Sequence, residues 1–342
     1  MIYIRTDANR IIASGHIMRC IAIASNLRLH NIESVFLISD DTAKDIIESN
    51  GFSYVILDTK WDDINIEVSK VVELVEHENP DLLLIDTYSV TEYYVLELAK
   101  KCRVGYIGSK TIVMSELSLL INYDVNIDYT FYKNNYDENR TQILLGPQYA
   151  PLRSEFVASV KPIATQISRV LITTGNTNQG NVVGRILQEI IKQDLTKNIV
   201  FDVIVGNMYD SISDFESLRN ENVVFHHNVP EVSSLMKQCD IAIAACGTMV
   251  YELIALSVPV ISFSMVPEQI KTAEKLDEMG IITYCGKSYI SDEPCIEKII
   301  QALMYFILHP DEMTQMARIG SQYIDGNGNE RIYEAILDTI NN

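Results

Sequence analysis

Between Cys239 and Gly280 two short apolar runs, Ile241 to Ala245 and Val258 to Phe263, flank a helix-period segment, Met249 to Leu256. Cys246-Gly247-Thr248 makes the turn from the first run into the helix. Strand, helix and strand in so little chain form a β-α-β unit, and the crossover makes the two strands parallel. That unit commits the chain around it to an α/β fold.

The same alternation runs through most of the chain. Candidate strands at Met1 to Arg5, Ser34 to Ser39, Tyr54 to Leu57, Asp81 to Asp86 and Val104 to Ile107 alternate with candidate helices at Gly15 to Leu29, Thr42 to Asn50, Ile64 to His77 and Val90 to Lys101. Strands spaced by helices of that length build a doubly wound parallel sheet, a Rossmann-like domain. From Ser109 to Glu155 the pattern loosens: Leu119 to Tyr123, Thr130 to Tyr132 and Ile143 to Leu145 read as short strands, and Lys133 to Arg140 as a polar loop. The Pro-containing stretch that follows reads as a connection. A second alternation starts at Arg169 to Thr174 and continues through Val182 to Lys192, Ile199 to Val205, Val223 to His226 and Val232 to Lys237 into the opening unit. The tail adds helices at Glu297 to Leu308, Glu312 to Tyr323 and Ile332 to Ile340. We expect a first domain over 1–155, a linker over 156–167, a second domain over 168–324, and a terminal segment over 325–342.

Size and charge limit the functions available. A chain of 342 residues accommodates two domains with their own cores. With 27 Lys+Arg against 46 Asp+Glu the net charge is −19, a surface that repels nucleic acid and acidic lipid. No apolar run approaches the roughly 20 residues of a membrane span, so we expect a cytoplasmic protein. Cys20, Cys102, Cys239, Cys246, Cys285 and Cys295 are scattered without CxxC pairing and are expected as free thiols. Nor does the His226-His227 pair have a third ligand at metal spacing, so no metal and no cofactor is expected.

The Gly247-Thr248 turn suits a phosphate, because the first N–H groups of a helix are unpaired and lie at the positive end of its dipole. Thr248 is placed to cap the helix or touch that anion, and the Thr248 and Met249 N–H groups to take up charge developing on a diphosphate. Glu252, one turn on, is placed to accept hydrogen bonds from ribose hydroxyls. Gln269 and Lys271 open the next helix toward the same crevice. Read from turn chemistry alone, the same residues also describe an ordinary turn with a capping threonine and a solvated glutamate.

After the first strand runs Asp7-Ala8-Asn9-Arg10-Ile11-Ile12-Ala13-Ser14-Gly15-His16-Ile17-Met18-Arg19-Cys20. The carboxyl ends of parallel strands line the ligand crevice, which places this loop on the functional edge. His16 falls in the first helical turn, where the dipole favours a neutral imidazole able to accept a proton. The alternative is that Ser14 or Gly15 caps the helix and His16 packs.

Two resemblances sharpen these readings. The Gly247-Thr248 turn, Glu252, the Pro-Val-Ile strand and Gln269 look like the carboxyl-terminal half of the UDP-N-acetylglucosamine transferase of peptidoglycan synthesis and its GT-B relatives. Across nearly the whole chain, Arg5-x-Asp7, Gly15-His16-x-Met18-Arg19-Cys20, Asp86-x-Tyr88, the segment from Leu144 to Phe156, and Asp325-Gly326-x-Gly328-x-x-Arg331 together resemble the UDP-sugar hydrolase of pseudaminic acid biosynthesis and the spore-coat polysaccharide family.

The resemblance implies a GT-B fold, two Rossmann-like doubly wound domains facing each other across a cleft, with the last helix crossing back to the first domain. It implies metal-independent hydrolysis of UDP-2,4-diacetamido-2,4,6-trideoxy-β-L-altropyranose to free sugar and UDP. His16 would activate the water and the Tyr88 hydroxyl would touch sugar or water. Asp7, Gly15, Arg19, Gly175, Asn176, Gly247, Thr248, Met249, Glu252 and Gln269 would bind substrate. It implies a UDP-sugar substrate as partner and contact with other enzymes of the same sugar pathway. The chain departs from that family at Gly108-Ser109-Lys110, where relatives carry an acidic pair, and at Thr174-Gly175-Asn176-Thr177-Asn178, where they carry a Gly-Gly-x-Asp turn. A glycosyltransferase using the same base and nucleotide pocket, and a catalytically silent nucleotide-sugar binding protein, are the alternatives. The basic signature and carboxylate constellation of UDP-sugar 2-epimerases are missing from the sequence.

Overall fold

The structure, a computed structural model, describes residues 1–9, 11–12, 14–157, 164–206, 209, 217–229, 231–289 and 292–341. Residues 158–163 of the expected linker lie outside them. Among the described residues the chain forms two all-parallel sheets in two compact units, Met1–Ser154 with Asn327–Asn342, and Glu155–Gly326.

In the first unit β1 (Ile2–Thr6), α1 (Gly15–Leu29), β2 (Ser34–Ile38), α2 (Lys44–Ser49), β3 (Ser53–Ile56), α3 (Val68–Glu78), β4 (Leu82–Asp86), α4 (Glu92–Ala99), β5 (Val104–Ile107), β6 (Leu119–Asn122), α5 (Tyr129–Asn135) and β7 (Gln142–Leu145) give the strand order β3-β2-β1-β4-β5-β6-β7. The chain winds outward from β1 to β3, then returns to place β4 on the other side of β1. The gap between β1 and β4 is therefore the topological switch point, where loops diverge and leave a crevice at the strands' carboxyl ends. β1 and β4 are buried along their whole length because helices cover both faces. Ile2, Ile4, Leu82 and Leu84 pack with α1, whereas Tyr3, Leu83 and Ile85 pack with α3 and α4 on the opposite face.

The second unit contains β8 (Arg169–Thr173), α6 (Val182–Lys192), β9 (Val200–Val205), β10 (Val223–His227), α7 (Val232–Gln238), β11 (Ile241–Ala245), α8 (Thr248–Ala255), β12 (Val260–Ser264), α9 (Ile270–Glu278), β13 (Thr283–Lys287), α10 (Asp292–Leu308) and α11 (Pro310–Tyr323). Its order is β10-β9-β8-β11-β12-β13, with the switch point between β8 and β11. Its core joins alternate residues of β8, β9, β11 and β12 to α6, α10 and α11.

Three local expectations are corrected. Thr130 to Tyr132, read as a strand, lies in α5, because Asp128 caps the first turn by accepting from the Phe131 N–H at 3.1 Å. Of Lys133 to Arg140, read as loop, the residues up to Asn135 continue that helix. The tail helices also begin earlier than the apolar periodicity suggests, since α11 starts on Pro310, a residue suited to the first helical turn.

The last helix, α12 (Gly328–Asn341), belongs to the first unit and packs against α1. Asn329 donates to the Leu152 carbonyl and Arg331 to the Gln148 carbonyl at 2.9 Å. Gly328 is required there because a Cβ would collide with the backbone of Ala150. Gly328→Ala is therefore expected to cost about 1–3 kcal/mol of stability by overpacking, read as a lower urea midpoint with an unchanged slope.

Candidate active site

The first site is built at the β1/β4 switch point. Thr6 and Asp86 are register partners on the face that carries α1, and α1 brings His16, Arg19 and Cys20 down onto that carboxylate. His16 Nδ1 lies 2.5 Å from Asp86 Oδ1, Arg19 Nε donates to Oδ2 at 2.5 Å, and Arg19 Nη2 donates to Oδ1. Cys20 Sγ donates to Oδ2 at 3.3 Å, and Arg19 Nη1 donates to the Tyr123 hydroxyl at 2.8 Å. Asp86 is fully buried and His16 is 4% exposed.

Burial by itself would raise the Asp86 pKa, but Arg19 and then His16 outweigh it and hold the carboxyl at about 2. The same pairing holds the Arg19 guanidinium well above its ordinary pKa against the opposing effect of burial. Asp86 is thus an acceptor only. The carboxylate favours a proton on His16 Nδ1, because a lone pair there would face an anionic oxygen at 2.5 Å. Arg19 Nη2, 2.8 Å from the same nitrogen, is close because both groups converge on Oδ1. In the neutral imidazole Nε2 is left carrying the lone pair, buried and with no partner among the described residues. A carboxylate beside one nitrogen of a histidine and an unpartnered second nitrogen are two elements of a general base.

Because its folded pKa is depressed, Asp86 contributes stability that is present above its unfolded value near 3.8 and lost as pH falls through about 2. We expect the unfolding free energy to drop by roughly 2 kcal/mol over that window, and Asp86→Asn to lack this component. Urea titrations at pH 5 and near pH 2 check it.

The Tyr88 and His16 rings form a T-shaped pair, centroids 4.3 Å apart and planes at 85°. Gly15 opens α1 with open space around it. Asp7 goes elsewhere: one carboxylate oxygen accepts from Arg5 at 2.5 Å and the other from the Ser39 N–H at 2.8 Å. Arg5 is fully buried and holds Glu67 in a fork at 2.6 and 3.0 Å. Glu67 also accepts from Tyr94 at 2.9 Å and Thr59 at 2.9 Å. This network lies on the α3 and α4 side of the sheet and ties the ends of β1 and β2 to the loop before α3.

The second constellation occupies the β8/β11 switch point. Gly247 is the N-cap of α8 and no side chain caps that helix, so Thr248 is its first residue and not its cap. Gly247 and Thr248 are exposed, Met249 half-buried and Glu252 buried. Across the switch point Thr173 Oγ1 lies 3.6 Å from Met249 Sδ and accepts from the Gly175 N–H at 3.2 Å. Gly175 needs its left-handed φ of 78° for this turn, and Asn176 is exposed beyond it. Gly206, after β9, lets that loop lie on the backbone, since a Cβ would strike the Gly175 carbonyl. Gln269 Oε1 accepts from the Met265 N–H at 2.8 Å, with its amide beside Gly247. Gly175, Met249, Gly247 and Gln269 are therefore gathered at one edge of the second sheet. Lys271 is exposed on α9.

Sequence reading assigned no role to Asp86, Tyr123, Glu67 or Gly206. Asp86 had a signal, a carboxylate closing an otherwise apolar strand at the edge where ligands bind. The others become visible only through their partners.

Two parallel-sheet α/β units of seven and six strands, each with its loops gathered at a switch point, constitute the GT-B fold. The solved structure of a UDP-GlcNAc 2-epimerase from Neisseria meningitidis bound to UDP-GlcNAc is similar at a TM-score of 0.68, with 16% identity over 99% of this chain and 100% of that one. Acinetobacter baumannii MurG is similar at 0.66, with 13% identity over 98% and 99% of the two chains. In sequence, a family described as a protein of unknown function, DUF354, matches residues 159–316. The uncharacterized protein MJ1062 of Methanocaldococcus jannaschii is 24% identical over 76% of this chain and 54% of its own length. The pseudaminic acid cytidylyltransferase and UDP-2,4-diacetamido-2,4,6-trideoxy-beta-L-altropyranose hydrolase of Helicobacter pylori is 28% identical over 59% and 37%. The spore coat polysaccharide biosynthesis protein SpsG of Bacillus subtilis is 22% identical over 59% and 60%. The matched part of this chain thus spans about a third to three fifths of these relatives. Among the described residues no helix is long and apolar enough to cross a membrane.

Proposed function

We propose that this chain acts on a nucleotide-linked sugar in the biosynthesis of a surface polysaccharide or a nonulosonic acid, and that its reaction is hydrolysis of a UDP-sugar. The observation that carries this reading is the buried His16 imidazole, with Nδ1 2.5 Å from Asp86 Oδ1 and Nε2 without a partner among the described residues. Nε2 takes a proton from water as the water oxygen bonds to the anomeric carbon. The bond from that carbon to the diphosphate oxygen breaks, and its electron pair leaves with UDP. A diphosphate leaves readily, so no strong acid is needed. In this reading the uncapped start of α8, with the Thr248 and Met249 N–H groups, takes up the developing charge, and Gln269, Gly175 and Asn176 contact the substrate. The names of the H. pylori and B. subtilis relatives and the ligand of the N. meningitidis epimerase support the substrate class.

Glycosyl transfer is a second reading, favoured by solved structures of the same fold that include the glycotransferase of kitacinnamycin, at a TM-score of 0.69 and 14% identity. An acceptor hydroxyl would then replace water at Nε2. Incubation with UDP-sugars and no acceptor separates the two. We expect UDP and free sugar in equal amounts, whereas UDP release that waits for an added acceptor makes the protein a transferase.

A further inference from the structure

His16 Nε2 is buried and has no partner among the described residues, yet the ring in T-shaped contact with that imidazole belongs to Tyr88, which is 64% exposed. A side chain so open to solvent is held by few contacts. Among the described residues the Tyr88 hydroxyl makes no hydrogen bond, and its ring packs against His16. The loop on either side of it is fastened. Thr87 Oγ1 accepts from the Ser89 N–H at 3.2 Å, Ser89 Oγ donates to the Trp61 carbonyl at 3.1 Å, and Lys110 Nζ donates to the Val90 carbonyl at 2.9 Å. With the loop fastened on both sides, side-chain rotation is the motion open to this exposed ring.

We infer that the Tyr88 ring is a gate that closes His16 off from bulk water until a bound sugar displaces it. The inference rests on the reading of His16 as the base only for its purpose; the gate itself is a property of the ring contact. Closing a buried acceptor without a partner is unfavourable, and an edge-to-face ring contact partly offsets that, so the closed form opens readily to a ligand that supplies the missing hydrogen bond. The gate works by the bulk of the ring and does not need the hydroxyl.

Carbethoxylation by diethyl pyrocarbonate reads this directly, because the reagent attacks a neutral imidazole nitrogen and each histidine is followed by peptide mass. The reference is His77, whose side chain is 83% exposed. In the full chain His16 is expected to react much more slowly than His77, and Tyr88→Ala to speed the His16 reaction about two- to tenfold, the range an edge-to-face contact is worth. Tyr88→Phe should stay slow, and His77 should not change in any variant, which also reports that the fold is kept. Equal His16 rates in the wild type and Tyr88→Ala overturn the gate, as does a Tyr88→Phe rate matching that of Tyr88→Ala. Labelling does not depend on turnover: loss of the gate leaves the assignment of the base intact, and a base assignment that fails in turnover leaves the labelling result standing.

Discussion

His16→Gln is expected to lower the turnover of a UDP-sugar by about 10²–10⁴, the usual contribution of general-base catalysis, while leaving the affinity for UDP within a factor of a few. Glutamine keeps a donor toward Asp86 and so preserves the α1 packing, but it offers no basic nitrogen. The measurement is kcat with a discontinuous UDP assay beside UDP binding by calorimetry. Asp86→Asn should follow in the same direction, because the amide removes the charge that fixes the Nδ1–H tautomer and strips Arg19 of its anion. Turnover within threefold of wild type for His16→Gln would remove the base from the reaction and leave the imidazole as packing.

The second large effect is on stability. Arg5→Met leaves Glu67 and Asp7 buried around a cation that is gone, and breaking a buried pair in this way costs about 3–5 kcal/mol. Burial alone would lower the Arg5 pKa, but Asp7 and then Glu67 more than reverse it, so the cation persists at every accessible pH. The Tyr94 phenol is pushed well up by burial and then by Glu67, which keeps it a donor to that carboxylate. Replacing both members, Arg5→Met with Glu67→Leu, should recover part of the loss, since no uncompensated charge then remains on the Glu67 side. Urea denaturation of the single and double variants checks this. A single variant within 1 kcal/mol of wild type would mean that water reaches the network.

The parallel α/β character of the chain was legible because it depends on local order along the sequence. Ile2 to Ile4 and Leu82 to Ile85 are apolar runs separated by helix-length segments, and such runs have few alternatives to a covered parallel sheet. The short aromatic stretch at Tyr129 to Asn135 was not legible as a helix. Its type depends on one capping carboxylate, Asp128, and on burial of Tyr132 beside Tyr136, whose rings lie 6.1 Å apart. At the candidate sites, residue types were readable but partners were not. Thr248 looked like a cap until Gly247 took that position, and Asp7 looked like a ligand-facing acid until Arg5 and Ser39 engaged both its oxygens.

What the sequence by itself determined is the period of its apolar residues, and with it two parallel sheets whose loops emerge at the carboxyl ends of the strands. What only the tertiary structure decided is which side chains meet at those ends. Asp86 is 70 residues from His16, and only the crossing of β4 back beside β1 puts that carboxylate under the imidazole. Hydrophobic periodicity acts over a few residues and can be read from the chain, whereas a proton's position on a ring depends on a charge brought within 2.5 Å by strand order.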